Sequence, residues 1–318
     1  MSPCERINES PGGGCGLGTA HYRAAIIGLG QIGNQFDDDP KRTAVWTHAG
    51  AYASLPEIAL IAGADPDEGR LGRFLERRGV AAGYRDYRDM LRGETIDLLS
   101  VCSPTALHHE MVLAGVQAGV RAIFCEKPLA ATVAQAADMV RACDDAGVLL
   151  AVNHTRRWED IYRRARRLLE QGAIGRLESI VGCYPGKVFT MGTHLFDLMR
   201  YFAGDAAWAC GQAVGHGDEA NLSGHLGFRS GAQGSVVCGW ERANHIFEVD
   251  LLGSRGRLRL SGDGAMMELF RFEDSPRYSG YRELAEAREG ASGSDGPVHE
   301  ENLLIAAVRD LARCLTDG

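Results

Sequence analysis

Lysine is scarce in this 318-residue chain: only Lys41, Lys127 and Lys187 stand among its 34 basic residues, and the rest are arginine. GC-rich coding produces such a bias, and a lysine kept against it points to chemistry that a permanently charged guanidinium does not perform. No apolar run approaches the roughly 18 residues of a membrane-spanning helix, which excludes that class. The nine cysteines (4, 15, 102, 125, 143, 183, 210, 238 and 314) form no CxxC pair and no repeated spacing. That pattern excludes a disulfide framework and predicts reduced thiols in a cytoplasmic protein with no metal site. The first twenty residues contain no apolar stretch, so we read no secretory signal there and expect a flexible leader over 1–20. Positive charge is in deficit as well. With 42 acidic residues the formal charge is −8, which argues against nucleic acid or an anionic membrane as partner.

What is present is globular: 45% hydrophobic and 24% charged residues, over a length that suits two domains with separate cores. From residue 21 onward, short apolar runs alternate with helical stretches. The runs are AAIIG (24–28), IALIAGAD (58–65), IDLLSVCS (96–103), VRAIFCEK (120–127) and VLLAVNH (148–154). Runs of this length without polar alternation suit strands buried on both faces of a parallel sheet. In the helical stretch 133–146, apolar residues at 133, 136, 137, 140 and 143 share one face, with Thr132 as N-cap and Gly147 as C-cap. Residues 21–150 therefore read as an α/β domain with a doubly wound parallel sheet. The polar segment 36–47 (FDDDPKRTAVWT) reads as an inserted loop leading into a helix, HAGAYASL.

After 150 the texture changes to α+β with a mostly antiparallel open sheet, over 151–318. An amphipathic helix (158–175) is followed by a strand (RLESIVGCYPG) and a short helix (193–203). Several strands with glycine turns then occupy 206–273 and include a hairpin about Ser230-Gly231. Residues 274–298 read as a Ser/Gly/Pro-rich linker ahead of a last amphipathic helix at 301–315.

Three groups of residues carry chemistry. Gly28-Leu29-Gly30-Gln31-Ile32-Gly33 follows a strand and opens a helix. The first glycine makes the turn, the second admits a pyrophosphate, the third allows close packing, and the helix amides meet the phosphate. Asp65 ends the second strand, where a carboxylate accepts the ribose hydroxyls of an adenosine. A carboxylate there repels a 2′-phosphate, which favours NAD over NADP; the alternative for Asp65 is a helix N-cap ahead of Pro66. Glu126-Lys127-Pro128 lies at the carboxyl end of another strand, where ligands gather in such sheets. Lys127 would stand beside the nicotinamide there, and the glutamate would hold backbone or ribose.

Together with SVCSPTALHH, CEKPLA, VNHTRRW and GTHLFDLMRYFAGD, the glycine motif resembles the Gfo/Idh/MocA family across about residues 22–318. The resemblance implies a Rossmann domain, a C-terminal α+β domain whose open sheet mediates a homodimer or homotetramer, and NAD(H) or NADP(H) as cofactor. It implies that Ser103, Pro104 and His108 flank the nicotinamide half, and that Lys127 meets the reacting hydroxyl. It further implies that Asn153, Arg157 and Trp158 lie at the domain junction, toward cofactor and substrate, and that His194 is the catalytic histidine. Relatives often carry an acid four residues before that histidine, whereas this chain has Thr190. Thr190, His194 and Asp197 can share one helix face, so Asp197 either orients His194 or bonds backbone. Lys187 reaches substrate or stays solvated.

The remaining features read as structural. Adjacent His108 and His109 face apart, Arg163, Arg164, Arg166 and Arg167 form a solvated helix face, and Tyr184 and Trp240 belong to core or interface. The reading is an NAD-dependent oxidoreductase of a sugar, aminosugar or cyclitol, with proton transfer by His194 or Lys127. Two alternatives are an NAD-retaining glycoside hydrolase and a non-catalytic NAD sensor. Net turnover of free NAD separates the first, and the paired Lys127 and His194 argue against the second.

Overall fold

The computed structural model describes residues 22–214, 221–238, 243–287 and 302–317. The expected leader, Trp240 and most of the second half of the expected linker lie outside these residues. The five apolar runs form strands of a six-stranded parallel sheet. In chain order its strands are β1 (Tyr22–Ile27), β2 (Ile58–Ala64), β3 (Ala82–Tyr84), β4 (Leu98–Val101), β5 (Ala122–Cys125) and β6 (Leu149–Val152). Their spatial order is β3-β2-β1-β4-β5-β6, the doubly wound arrangement with its switch point between β1 and β4. Every residue of β4 and β5 is buried, which is why these strands carry no polar alternation.

Helices α1 (His48–Ala53), α2 (Glu68–Arg78), α3 (Tyr87–Gly93), α4 (Thr105–Gln117) and α5 (Val133–Ala146) flank the sheet. The caps of α5 are as expected: Thr132 Oγ1 accepts the Gln135 N–H at 3.2 Å, and Gly147 takes φ +66°. The helix expected to open at the glycine motif does not form at length. Residues Gln31–Gln35 make one π turn and Phe36–Asp38 one 3₁₀ turn before the chain leaves for the insertion. Insertion residues are pinned back onto α2, since Asp37 accepts the Trp46 N–H at 2.7 Å and Arg78 Nη2 at 2.9 Å.

The second half builds an eight-stranded sheet. After α6 (Asp160–Glu170), β7 (Leu177–Cys183) and α7 (Thr193–Ala203) come β8 (Ala206–Val214), β9 (Asn221–Phe228), β10 (Gln233–Val237), β11 (Glu248–Gly253), β12 (Gly256–Ser261), β13 (Met266–Asp274) and β14 (Arg282–Glu286). Its order is β14-β13-β12-β11-β7-β10-β9-β8, antiparallel throughout except for β7 against β10. The hairpin β9–β10 turns as expected at Gly231, which has φ +92°. Two readings change. Part of the expected linker is β14, paired to β13. The last helix, α8 (Leu303–Asp317), packs on the first sheet: Leu304, Ala307, Val308 and Leu311 share a core with Tyr22, Ala24, Leu98 and Phe124. A second core, Ile161, Tyr162, Leu195, Leu198 and Met199 against Ile180, Leu251 and Leu258, lies between α6–α7 and the larger sheet.

Candidate active site

The carboxyl ends of the first-sheet strands open onto a cleft of about 820 Å³. Gly28, Gly30, Gln31 and Ile32 line one wall, Asp65 and Arg70 one end, and Ser103, Pro104, Glu126 and Lys127 the floor, while Thr190 and Met191 of the second half close the far side. The glycine turn is sterically determined. Gly28 has φ +91°, and a Cβ there would lie 2.7 Å from the Cys102 backbone; a Cβ on Gly33 would lie 2.1 Å from the Gly28 carbonyl oxygen. A Cβ on Gly30 would meet only an Arg70 nitrogen at 3.9 Å, so backbone there is open to a ligand.

Asp65 is buried at the end of this cleft. It accepts the Leu29 N–H at 2.8 Å and the Asp67 N–H at 2.9 Å, which ties the glycine turn to the start of α2. The N-cap of α2 is Asp67, which accepts the Arg70 N–H, so the N-cap alternative for Asp65 falls. Arg70 Nη1 stands 3.8 Å from the Asp65 carboxylate.

At the other end, Lys127 Nζ donates to the Thr190 carbonyl at 2.8 Å, joining the Rossmann wall to the segment before α7. His194 lies buried one turn further on. Burial, then the Arg156 guanidinium, the Lys127 ammonium and His154, hold its imidazole well below the ordinary value, so the ring is neutral at neutral pH. His154 stands edge-on to it with ring centres 6.0 Å apart. It too is lowered, chiefly by burial and against the pull of Asp197. Ser103 Oγ, Asn153 Oδ1, His154 Nδ1, Thr193 Oγ1 and His194 Nδ1 are buried polar atoms with no hydrogen-bond partner among the described residues. Such atoms are costly unless something polar meets them, and their gathering at the junction fits a polar ligand. Open backbone at Gly30, the carboxylate at Asp65 and the orphaned Ser103 hydroxyl fit a dinucleotide along the length of the cleft.

Several sequence-assigned residues are engaged elsewhere. His108 is buried away from the cleft, with Nε2 2.8 Å from the Ser103 carbonyl and Nδ1 3.1 Å from that of Pro128; it braces the floor from behind. Trp158 gives its indole N–H to Asp310 of α8 at 2.8 Å and packs edge-on to Phe124, a core position. Asp197 does not orient His194: Arg157 takes both its oxygens, at 2.8 and 2.9 Å. The Thr190 hydroxyl donates to the Lys187 carbonyl at 3.1 Å, and Lys187 is exposed outside the cleft lining. Arg163 and Arg166, read as solvated, instead bind Asp310 and the Tyr201 carbonyl.

Sequence reasoning missed the polar chain beneath the floor. His48 of α1, fully buried, has Nε2 3.0 Å from Glu126 Oε1 and Nδ1 2.8 Å from Ser100 Oγ, which in turn meets Tyr52 Oη at 2.7 Å. Asn153 Nδ2 donates to the same Glu126 oxygen at 2.6 Å. Burial opposes charge on Glu126, but His48, the Asn153 amide and the Lys127 ammonium outweigh it and hold the carboxyl below the usual carboxylate range. A histidine in an otherwise small and apolar helix, HAGAYA, was the available signal.

A parallel nucleotide-type sheet with its glycine turn, joined across a lysine to a mostly antiparallel sheet, defines a two-domain dinucleotide-dependent oxidoreductase class. Comparison with known proteins agrees. Residues 22–154 match the oxidoreductase family with an NAD-binding Rossmann fold, and residues 184–259 match the GFO/IDH/MocA C-terminal domain. The chain is 30% identical over 270 residues to D-apiose dehydrogenase of Paraburkholderia graminis, covering 76% of this chain and 68% of that protein. It is 29% identical over 261 residues to myo-inositol 2-dehydrogenase of Thermotoga maritima, covering 74% of each. In fold it is similar to an NAD binding oxidoreductase from Klebsiella pneumoniae, with TM-score 0.74 at 21% identity over 92% of this chain and 89% of that one. The chain belongs to the Gfo/Idh/MocA oxidoreductase family.

Proposed function

We propose that the protein is an NAD-dependent dehydrogenase that interconverts a secondary alcohol and a ketone of a sugar, aminosugar or cyclitol. The observation that carries this reading is the junction itself: Lys127 lines the end of a cleft that begins with the glycine turn, and the neutral, buried His194 lies behind Thr190, where polar atoms unpartnered among the described residues gather. Bound NAD supplies the hydride acceptor at C4 of its nicotinamide. His194 takes the hydroxyl proton, being neutral and without a partner at Nδ1 among the described residues, and Lys127 stabilises charge growing on the same oxygen. Gly28, Gly30, Gln31, Ile32 and Gly33 cradle the pyrophosphate, Asp65 meets the adenosine ribose, and Ser103, Pro104 and Glu126 face the nicotinamide half.

The protein works in the cytoplasm as a homodimer or homotetramer. Half-exposed Trp208 and Val237 on the outer face of the larger sheet support that assembly. Relatives acting on D-apiose and myo-inositol support the substrate class. The test is a panel of sugars, aminosugars and inositols with NAD, followed by NADH absorbance. Net NADH formation with one of these polyols is expected. Glycoside cleavage without net NAD turnover, or NAD binding without any turnover across the panel, refutes the reading.

A further inference from the structure

We infer that His48, backed by Ser100 and Tyr52, is a positioning residue that keeps Glu126 a fixed carboxylate in the cleft floor and so biases the site toward the oxidised form of the nicotinamide cofactor. The inference rests on the proposed NAD site and deepens it. Two properties of the chain carry it. Its bonded partners are separated by 48 to 78 positions in sequence, yet they join end to end at 2.7, 2.8 and 3.0 Å with Tyr52, His48 and Ser100 fully shielded from solvent. And Glu126 is the member that lines the cleft.

With Ser100 Oγ–H donating to Nδ1, the tautomer that a carboxylate at Glu126 selects, Nε2–H of His48 donates to Glu126 Oε1. Asn153 adds a second donor to that oxygen, and the Lys127 backbone N–H lies 3.3 Å from Oε2. Three donors directed at one buried carboxyl favour its charged form against the cost of burial. The groups facing it are His48 from α1, Cys102 after β4, Cys125 of β5, His154 after β6 and the adjacent Lys127. Lys127 offsets part of the field, but its ammonium is drawn across the cleft to the Thr190 carbonyl. The carboxylate stays on the Rossmann side, where the nicotinamide half lies in the proposed complex. A nicotinamide ring is positive when oxidised and neutral when reduced, so a fixed negative charge beside it discriminates between the two.

The readout is the ratio of NAD⁺ to NADH affinity, measured by equilibrium titration on the intact protein from about pH 8 to about pH 5.5, above the ordinary glutamate range. E126Q preserves shape and removes charge. It is expected to shift the ratio toward NADH by about three- to tenfold, the worth of one partly screened unit charge. Wild type should hold a constant ratio over this range. H48L removes the donor but not the carboxyl, so burial then dominates Glu126. The ratio should match wild type at high pH and move toward that of E126Q as pH falls. H48Q, which keeps a donor, should restore the flat profile. If circular dichroism shows H48L unfolded, S100A provides the same test from outside the cleft, with a smaller shift in the same direction. A ratio within twofold of wild type in E126Q, or a flat profile in the folded H48L or S100A protein, overturns the inference. If wild type binds both cofactor forms and the ratio does not move, only this inference fails; if it binds neither, the NAD reading fails with it.

Discussion

The acid side of the stability profile should be set by three buried groups whose contributions partly cancel. His154 and His194 are held below their ordinary value of 6.5, so each is neutral in the fold and gains a proton on unfolding once pH falls under that value. Their contribution is complete above about pH 6.5 and is lost as pH falls toward the folded-state values. Glu159 runs the other way. Burial, against the attraction of Arg156, pushes its carboxyl up to about 7 from an ordinary 4.5. Between those values the folded protein holds a proton that the unfolded chain has released, so acidification relieves the fold at this site. Two protons gained and one released leave an excess of at most one in the unfolded state. Each proton is worth about 1.4 kcal/mol per pH unit, so stability should fall by at most about that much per unit from pH 6.5 toward 5.

Variants separate the contributions. H194Q leaves one proton against one, and its profile should be nearly flat. E159Q removes the compensating group and should steepen the slope to as much as about 2.8 kcal/mol per pH unit. Urea unfolding followed by tryptophan fluorescence at half-unit pH steps reads the slope. Potentiometric titration of native and urea-unfolded protein counts the protons directly. An E159Q profile no steeper than wild type, or an H194Q profile equal to it, would refute the assignment.

Replacing Lys127 by alanine should remove most of kcat and leave NAD affinity within a few-fold, because its ammonium faces the junction and not the glycine turn; unchanged kcat on the identified substrate excludes it from the chemistry. His194→Ala should lower kcat/KM by about 10²–10⁴, the usual worth of a positioned proton acceptor, while Thr190→Val should cost no more than about tenfold, because that hydroxyl is spent on the Lys187 carbonyl. Equal losses in the two variants would reverse the assignment. Gly33→Ala should weaken NAD binding by more than about tenfold, since its Cβ lands 2.1 Å from the Gly28 oxygen and must push the turn open. Wild-type affinity by fluorescence titration would contradict that.

The Rossmann half was legible because its strands are continuous apolar runs and its turn must be glycine at 28 and 33 on steric grounds. The edge strand Ala82–Tyr84 was missed: three residues with a central glycine carry no periodic signal. So was Arg282–Glu286, a polar edge strand whose partner defines it better than its own sequence does. The π and 3₁₀ turns after the glycine motif arise where Asp37, Asp38 and Pro40 cut the helix short and Asp37 finds Arg78 on α2. Site residues named from single motifs fared unevenly. Lys127 and His194 do converge, but the motif around Asp197 gave no sign that Arg157, 40 positions away, would claim both its oxygens. The His48–Glu126 contact spans 78 positions, and only the folded sheet brings it together.

The position of α8 sets the order in which the molecule can be completed during synthesis. Translation runs from the N-terminus, and the six strands of the first sheet emerge well before residues 303–317. Until those residues arrive, the trough meant for Leu304, Val308 and Leu311 stays open, and Tyr22 lacks the Thr316 hydroxyl it meets at 2.7 Å across 294 positions. A nascent Rossmann half is therefore an unsealed vessel on the ribosome, an oily seam waiting for its own distant tail. Any holdase that recognises such seams has its longest opportunity there. A premature stop between 155 and 304 removes Leu304, Val308 and Leu311 and so damages the domain that was finished first in sequence and is sealed last in space.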